Sequence, residues 1–233
     1  MNEQRSEQWF LDRAGKITAS RFCDAIAMKT VLDYEETVET GEFFKNGNPK
    51  TRVVKHYKKQ PTAARTTYMH ELVAEILSGS PNHEISSKSL SWGTELESYS
   101  REAYELETGN FIIESPFVVH PEFDFIGCSP DGLVSDSGGL EMKCPLSEAV
   151  HVKTWLEGMP DDHIGQVQGC MFVTGRKWWD FVSYQPRQSE KYRLYIQRIP
   201  RDDDYIENTL KPGLLAFWDD LQTMLDTIRA KAK

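Results

Sequence analysis

The stretch GCSPDGLVSDSGGLEMKCP, residues 127–145, decides the reading of this chain. Short apolar segments at 132–134 and 140–143 flank Ser135-Asp136-Ser137-Gly138-Gly139, a cluster of turn-forming residues. That pattern predicts two strands joined by a tight turn. Side chains alternate along a strand, so Glu141 and Lys143 share one face and Met142 takes the other. The turn brings Asp131 back toward Glu141. Two carboxylates and one ammonium then converge at one edge of a sheet.

This is the set of groups that phosphodiester hydrolysis requires. A hard cation such as Mg²⁺ prefers oxygen ligands and often takes one or two carboxylates together with water and substrate phosphate. Bound there, it polarises a phosphoryl oxygen and lowers the pKa of a water. A neighbouring lysine can position or deprotonate that water and offset developing negative charge. A Glu-x-Lys strand alone is usually an exposed ion pair, and Ser-Pro-Asp-Gly alone is ordinary turn chemistry. The D-x₉-E-x-K spacing with a turn inside the gap sets this trio apart.

Outward from the trio, the pattern alternates helices and strands. A helix is expected at 21–27, started by Thr18 or Ser20. Residues 38–62 carry Gly41, Gly47, Pro49 and Pro61 and read as loop with little regular structure. Helices follow at 63–77, stopped by Ser78-Gly79-Ser80-Pro81, and at 89–108, stopped by Gly109-Asn110. Strand pieces fall at 112–113, 117–120 and 123–128, before the central pair. Helices at 146–156 and 161–173 and strands at 178–184 and 192–198 complete the middle. The tail, 202–232, is helical in composition and broken or bent at Pro212. The sum is an α/β chain with a central mixed β-sheet flanked by helices. It reads as a single domain over 1–233, with 28–62 as a loop-rich insertion and 202–233 as a C-terminal helical segment.

Composition bounds the alternatives. With 233 residues and 39% hydrophobic content, the chain can bury one substantial core. No run approaches the roughly 18 apolar residues of a membrane helix, and residues 1–7 lack the apolar stretch of a signal peptide. A cytoplasmic protein without a membrane partner is the expectation. Cys23, Cys128, Cys144 and Cys170 are scattered, which fits reduced thiols rather than a disulfide framework, a zinc site or an iron–sulfur cluster. The net charge of −9 disfavours a simple nucleic-acid coat protein. Its distribution is uneven. Asp33, Glu35, Glu36, Glu39 and Glu42 form an acidic stretch, and from Lys45 to Arg65 every charged residue is basic. Lys50, Arg52, Lys55, Lys58 and Lys59 are therefore candidate DNA-backbone contacts, the alternative being a solvated face.

Five short stretches in one order give the chain a likeness. They are RAGKITAS at 13–20 after Trp9, LSWGTELE at 90–97, CSPDG at 128–132, LEMKCP at 140–145 and QVQ at 166–168. Together they resemble the lambda-type phage exonucleases, the alkaline exonucleases of viral recombination systems, within the PD-(D/E)-x-K nuclease superfamily. The likeness runs from about residue 9 to about residue 185.

The resemblance implies a restriction-endonuclease-like core and assigns roles. Asp131 and Glu141 would be metal ligands with the Met142 backbone carbonyl, and Lys143 would act on the nucleophilic water. Glu97 would reach the same cluster from the preceding helix; without the family it reads as a surface residue of an amphipathic helix. Arg13, Ser20, Ser129 and Gln166 would form a 5′-phosphate pocket, where an arginine can grip phosphate oxygens bidentately. Leu90 would wedge into the duplex end, a device known in DNA binding. The implied activity is a Mg²⁺-dependent 5′-to-3′ exonuclease on double-stranded DNA. It would use two Mg²⁺, with Mn²⁺ as a substitute, release 5′-mononucleotides and leave a 3′ single strand. The implied partners are DNA ends, two further copies in a trimeric ring, and a single-strand annealing protein. Two departures stand out: 28–62 is longer than in the lambda-type enzyme, and Ala149 falls where a basic residue is expected. The rival readings are a structure-specific or restriction-type endonuclease and a catalytically inactive DNA-end-binding protein.

Overall fold

The computed structural model describes residues 6–81 and 88–232. The chain opens with helix α1 (Glu7–Arg13), whose Ser6 side chain accepts from the Trp9 amide, then strand β1 (Ile17–Thr18). A 3₁₀ turn (Ala19–Arg21) leads into α2 (Phe22–Ile26). The helix expected at 21–27 is therefore present, but neither Thr18 nor Ser20 caps it. Thr18 stands at the start of the 3₁₀ turn without a capping bond, its hydroxyl 3.5 Å from that of Ser20.

The expectation of an irregular loop at 38–62 is overturned. Residues 28–61 form a long antiparallel ribbon of β2 (Met28–Phe43) and β3 (Pro49–Pro61). Its punctuating residues have local jobs. Gly41, at φ 76°, sits in the register shift between Glu39 and Phe43; Gly47, at φ 83°, turns the tip; and the two prolines lie at the ends of β3. Cross-strand neighbours in an antiparallel pair interact directly, and here the acidic stretch lies along the basic one. Lys58 meets Asp33 at 2.6 Å, Lys50 meets Glu42 at 2.9 Å and Lys55 meets Glu35 at 3.3 Å, while Tyr34 stacks on His56 at 4.3 Å.

Two helices follow, α3 (Ala63–Ser78), capped by Thr62 and ended by left-handed Gly79, and α4 (Lys88–Thr108). The strands after them are β4 (Ile112–Ile113), β5 (Val118–Val119), β6 (Ile126–Cys128), β7 (Gly132–Val134) and β8 (Gly138–Lys143). Then come α5 (Glu148–Glu157), α6 (Ile164–Thr174), β9 (Trp178–Tyr184) and β10 (Leu194–Pro200). The tail is a single turn, α7 (Asp203–Tyr205), a π-helical turn (Ile206–Leu210) and α8 (Lys211–Lys231). Pro212 does not break this helix. It sits just after the π turn, within a helical run that continues from Asp203 to Lys231. No helix among the described residues is long and apolar enough to cross a membrane.

Five strands form a sheet in the order β10-β9-β8-β7-β4, with β8 and β9 parallel and the other neighbours antiparallel. Strands β1, β6 and β5 form a second, smaller sheet. β8 lies at the centre of the larger one, and its two faces differ as strand alternation requires. Leu140 and Met142 point into a cluster with Val134, Val182 and Tyr104 of α4. The opposite face looks toward α6 and the larger core, which gathers Phe22, Tyr68, Leu72, Met171, Trp179, Leu214 and Phe217. Each such side chain, fully buried, contributes roughly 1.5–3 kcal/mol. Two glycines let these layers close. A Cβ on Gly139 would stand 2.2 Å from the Trp179 ring, and one on Gly169 would stand 2.3 Å from the ring of Phe22.

Candidate active site

The larger sheet and its flanking helices bring the predicted trio together. Asp131 follows Ser129-Pro130 and directly precedes β7, and its Oδ2 accepts the Met142 amide at 2.7 Å. That bond ties the hairpin's two arms together at the level of Glu141. Glu141 is 1% exposed. Its Oε1 accepts from Lys143 Nζ at 2.5 Å and from Gln166 Nε2, on α6, at 2.7 Å. Its Oε2 is buried with no hydrogen-bond partner. Asp131 and Lys143 are half-buried.

Electrostatics follow from this crowding. Burial, then the charge of Glu141, pushes the Asp131 carboxyl up to about 8, against the opposing pull of Lys143 and the Met142 amide. Glu97 pushes in the same direction, so α4 presents a third carboxylate to the pair. Burial works against the Lys143 ammonium, but Glu141 and Asp131 outweigh it and hold its pKa above the ordinary lysine value. The sequence reading missed His163, at the start of α6. Burial, then Lys143, lowers it to about 4, which keeps it neutral beside the cluster, against the ring of Phe181.

The residues fit a divalent cation. Two carboxylates stand close enough to disfavour double ionisation, and a buried carboxylate oxygen lacks a donor. A cation relieves both. Among the described residues no group of three or more His, Cys, Asp or Glu side chains is arranged to hold a metal. The side-chain donors would thus be Asp131 and Glu141, the rest of a hard cation's shell coming from backbone carbonyl, water and substrate oxygen.

The other predicted residues fall into three groups. Arg13 Nη1 donates to Ser129 Oγ at 2.8 Å, and its guanidinium lies 4.2 Å from the Trp9 ring centroid. Ser129 is two residues from Asp131, so this pair abuts the cluster. Gln166 bonds to Glu141 itself, and Ser20 is exposed on the 3₁₀ turn that packs against α6. Lys50, Arg52, Lys55, Lys58 and Lys59 lie apart, along β3 of the ribbon. Leu90 belongs to α4, but its side chain lies outside the described residues.

The YqaJ-like viral recombinase domain model matches residues 8–177, which is most of the chain and includes every member of the cluster. The chain belongs to the YqaJ-like viral recombinase family. Solved structures agree. An alkaline exonuclease of Laribacter hongkongensis, LHK-Exo, is 33% identical with a TM-score of 0.78, over 97% of this chain and 98% of that one. The same enzyme in complex with dAMP matches at 34% identity and the same TM-score and coverage. A phage-related exonuclease of Haemophilus somnus, at 16% identity and a TM-score of 0.62 over 94% of this chain and 96% of that one, shares the fold. A comparison with curated protein sequences gives no match. The family and these neighbours identify the sheet as the PD-(D/E)-x-K nuclease fold and support a nuclease role for this member of the YqaJ-like family.

Proposed function

We propose that this YqaJ-like protein is a Mg²⁺-dependent exonuclease that degrades double-stranded DNA from 5′ to 3′. It releases 5′-mononucleotides and leaves a 3′ single strand for annealing-based recombination. The observation that carries this reading is the unpartnered, buried Glu141 Oε2 beside Asp131 and Lys143. An electron-rich pocket with one ammonium at its rim is built for a cation and a phosphate. The dAMP complex of the 34% identical relative supports a mononucleotide product.

The chain's own groups divide the work. Asp131 and Glu141, with the Met142 carbonyl, would hold the cation, which when bound supplies Lewis acidity toward the phosphoryl group. Mn²⁺ offers the same oxygen-seeking chemistry as a substitute. Lys143 is held as an ammonium by the two carboxylates. Once a cation engages those carboxylates, Lys143 positions the attacking water or takes its proton, and it offsets charge growing on the phosphoryl oxygens. Gln166 steadies Glu141 from α6. Arg13 and Ser129, with Ser20, receive the 5′-phosphate, Arg13 as a charged donor kept in place by the Trp9 ring. Leu90 acts at the duplex end and Glu97 completes the cluster. A trimeric ring would keep an acidic protein on DNA by enclosure, and a single-strand annealing protein would take the product strand in the cytoplasm.

The test is a matched pair of substrates. With Mg²⁺, linear duplex should be degraded and covalently closed circular duplex left intact. Asp131→Ala should leave both intact. Cutting of the closed circle would replace this reading with an endonuclease. Digestion by Asp131→Ala at the parent rate would remove the trio from catalysis.

A further inference from the structure

The sequence singled out Glu97 on α4 but passed over the residue one turn further on. Arg101 lies at i+4 from Glu97, so both side chains project from one strip of the helix. Its Nη2 stands 3.5 Å from Glu97 Oε1 and donates to the backbone carbonyl of Asp131 at 3.1 Å. One guanidinium nitrogen thus joins a carboxylate on α4 to the main chain of the residue whose own carboxylate faces Glu141. The Arg101 side chain is 22% exposed, and its other terminal nitrogen stands 3.9 Å from the outlying Glu114.

The arrangement answers a need that the cluster creates. α4 packs on β8 through Tyr104, and this packing carries Glu97 toward two carboxylates that already repel each other. Repulsion would turn Glu97 outward. A cation fastened at once to Glu97 and to the Asp131 carbonyl holds it in. The carbonyl bond also fixes where the Ser129-Pro130-Asp131 turn sits relative to the helix. We propose that Arg101 is a positioning residue for the reaction: it sets Glu97 against Asp131 and acts through them, without touching DNA. This inference rests on the nuclease reading above.

The test compares Arg101→Ala, Arg101→Lys, Glu97→Ala and the Glu97→Ala/Arg101→Ala double variant on linear duplex with Mg²⁺. Residues that orient metal-site ligands typically cost about 10–100-fold when removed, so Arg101→Ala should lower kcat by about that factor with KM unchanged. Arg101→Lys, which keeps the charge and one donor, should recover part of the loss. The double variant should be no slower than Glu97→Ala, because the arginine works through the residue already gone. With EDTA present, binding of a 5′-phosphorylated duplex should match the parent at every salt concentration. The inference is overturned by a parent-like kcat in Arg101→Ala, or by losses that multiply in the double variant. It is equally overturned by weaker EDTA binding with a shallower salt dependence, the signature of a phosphate contact. If Arg101→Ala fails to fold, Arg101→Lys and Arg101→Gln carry the same comparison. A parent protein that binds duplex but never cuts it would instead remove the nuclease reading.

Discussion

Replacing Asp131 by Asn should abolish cleavage and, in the same molecule, make the metal-free protein more stable. The Asp131 carboxyl is moved from its ordinary 3.8 to about 8 by burial and by Glu141. A group whose folded pKa is raised holds its proton more tightly when folded. Stability is then greatest below the unfolded pKa and falls as pH rises from about 4 toward 8. At about 1.4 kcal/mol per pH unit, the full shift corresponds to a cost on the order of 6 kcal/mol. Asp131 is half-buried and shares its field with Lys143, so solvent screening reduces this to about 2–3 kcal/mol at pH 9. Asn carries no charge, and its carbonyl oxygen can still accept the Met142 amide, so the cost disappears while the hairpin tie remains. A chain of this size gains roughly 2–4 °C per kcal/mol, which places the Asn variant about 5–10 °C above the parent. The assay is thermal unfolding in EDTA at pH 6 and pH 9, repeated with Mg²⁺. The gap should be wide at pH 9, about half as wide at pH 6, and closed at pH 9 by Mg²⁺, which stabilises only the parent. Equal midpoints at pH 9 in EDTA would refute the electrostatic account of the site.

Three further outcomes follow. Lys143→Ala leaves a carboxylate that is 1% exposed without its ammonium donor and should cost about 1–3 kcal/mol in urea unfolding with EDTA, as well as cleavage. Arg65→Ala removes a side chain that bonds the Ala25 carbonyl and Asp220 and lies over the Phe217 ring. It should cost about 2–4 kcal/mol of stability in the same assay while leaving kcat per folded molecule unchanged. Neutralising Lys50, Lys55, Lys58 and Lys59 together should weaken duplex binding and flatten its salt dependence; identical binding across a salt series would show that the ribbon's charges serve only its own cross-strand pairs.

What the sequence made legible depended on period and proximity. Strand alternation put Glu141 and Lys143 on one face, and a turn of serines and glycines brought Asp131 to them, because both signals are local. The ribbon at 28–61 escaped for a physical reason. Both its faces are exposed, so neither strand carries the alternation that marks a half-buried one, and its glycines and prolines read as loop. The acidic and basic stretches were visible, but as two separate runs rather than the two sides of one hairpin. The bond from Gln166 to Glu141 was out of reach because the helix had to be docked first. Arg101 was hidden differently. A Glu-to-Arg pair four residues apart occurs on many helices, and only the Asp131 carbonyl beside it gives this one meaning. Thr18 and Ser20 looked like caps because hydroxyls before a helix usually are, yet a 3₁₀ turn intervenes.

Digestion of linear duplex carrying a label and a phosphate at one defined 5′ end, with Mg²⁺ and with EDTA, reads metal dependence, polarity and end requirement in one assay. With Mg²⁺, the label should appear at once as a mononucleotide while the complementary strand stays full length, and EDTA should stop the release. Label retained on long fragments, loss from the 3′ end first, or release undiminished in EDTA would contradict the proposed activity.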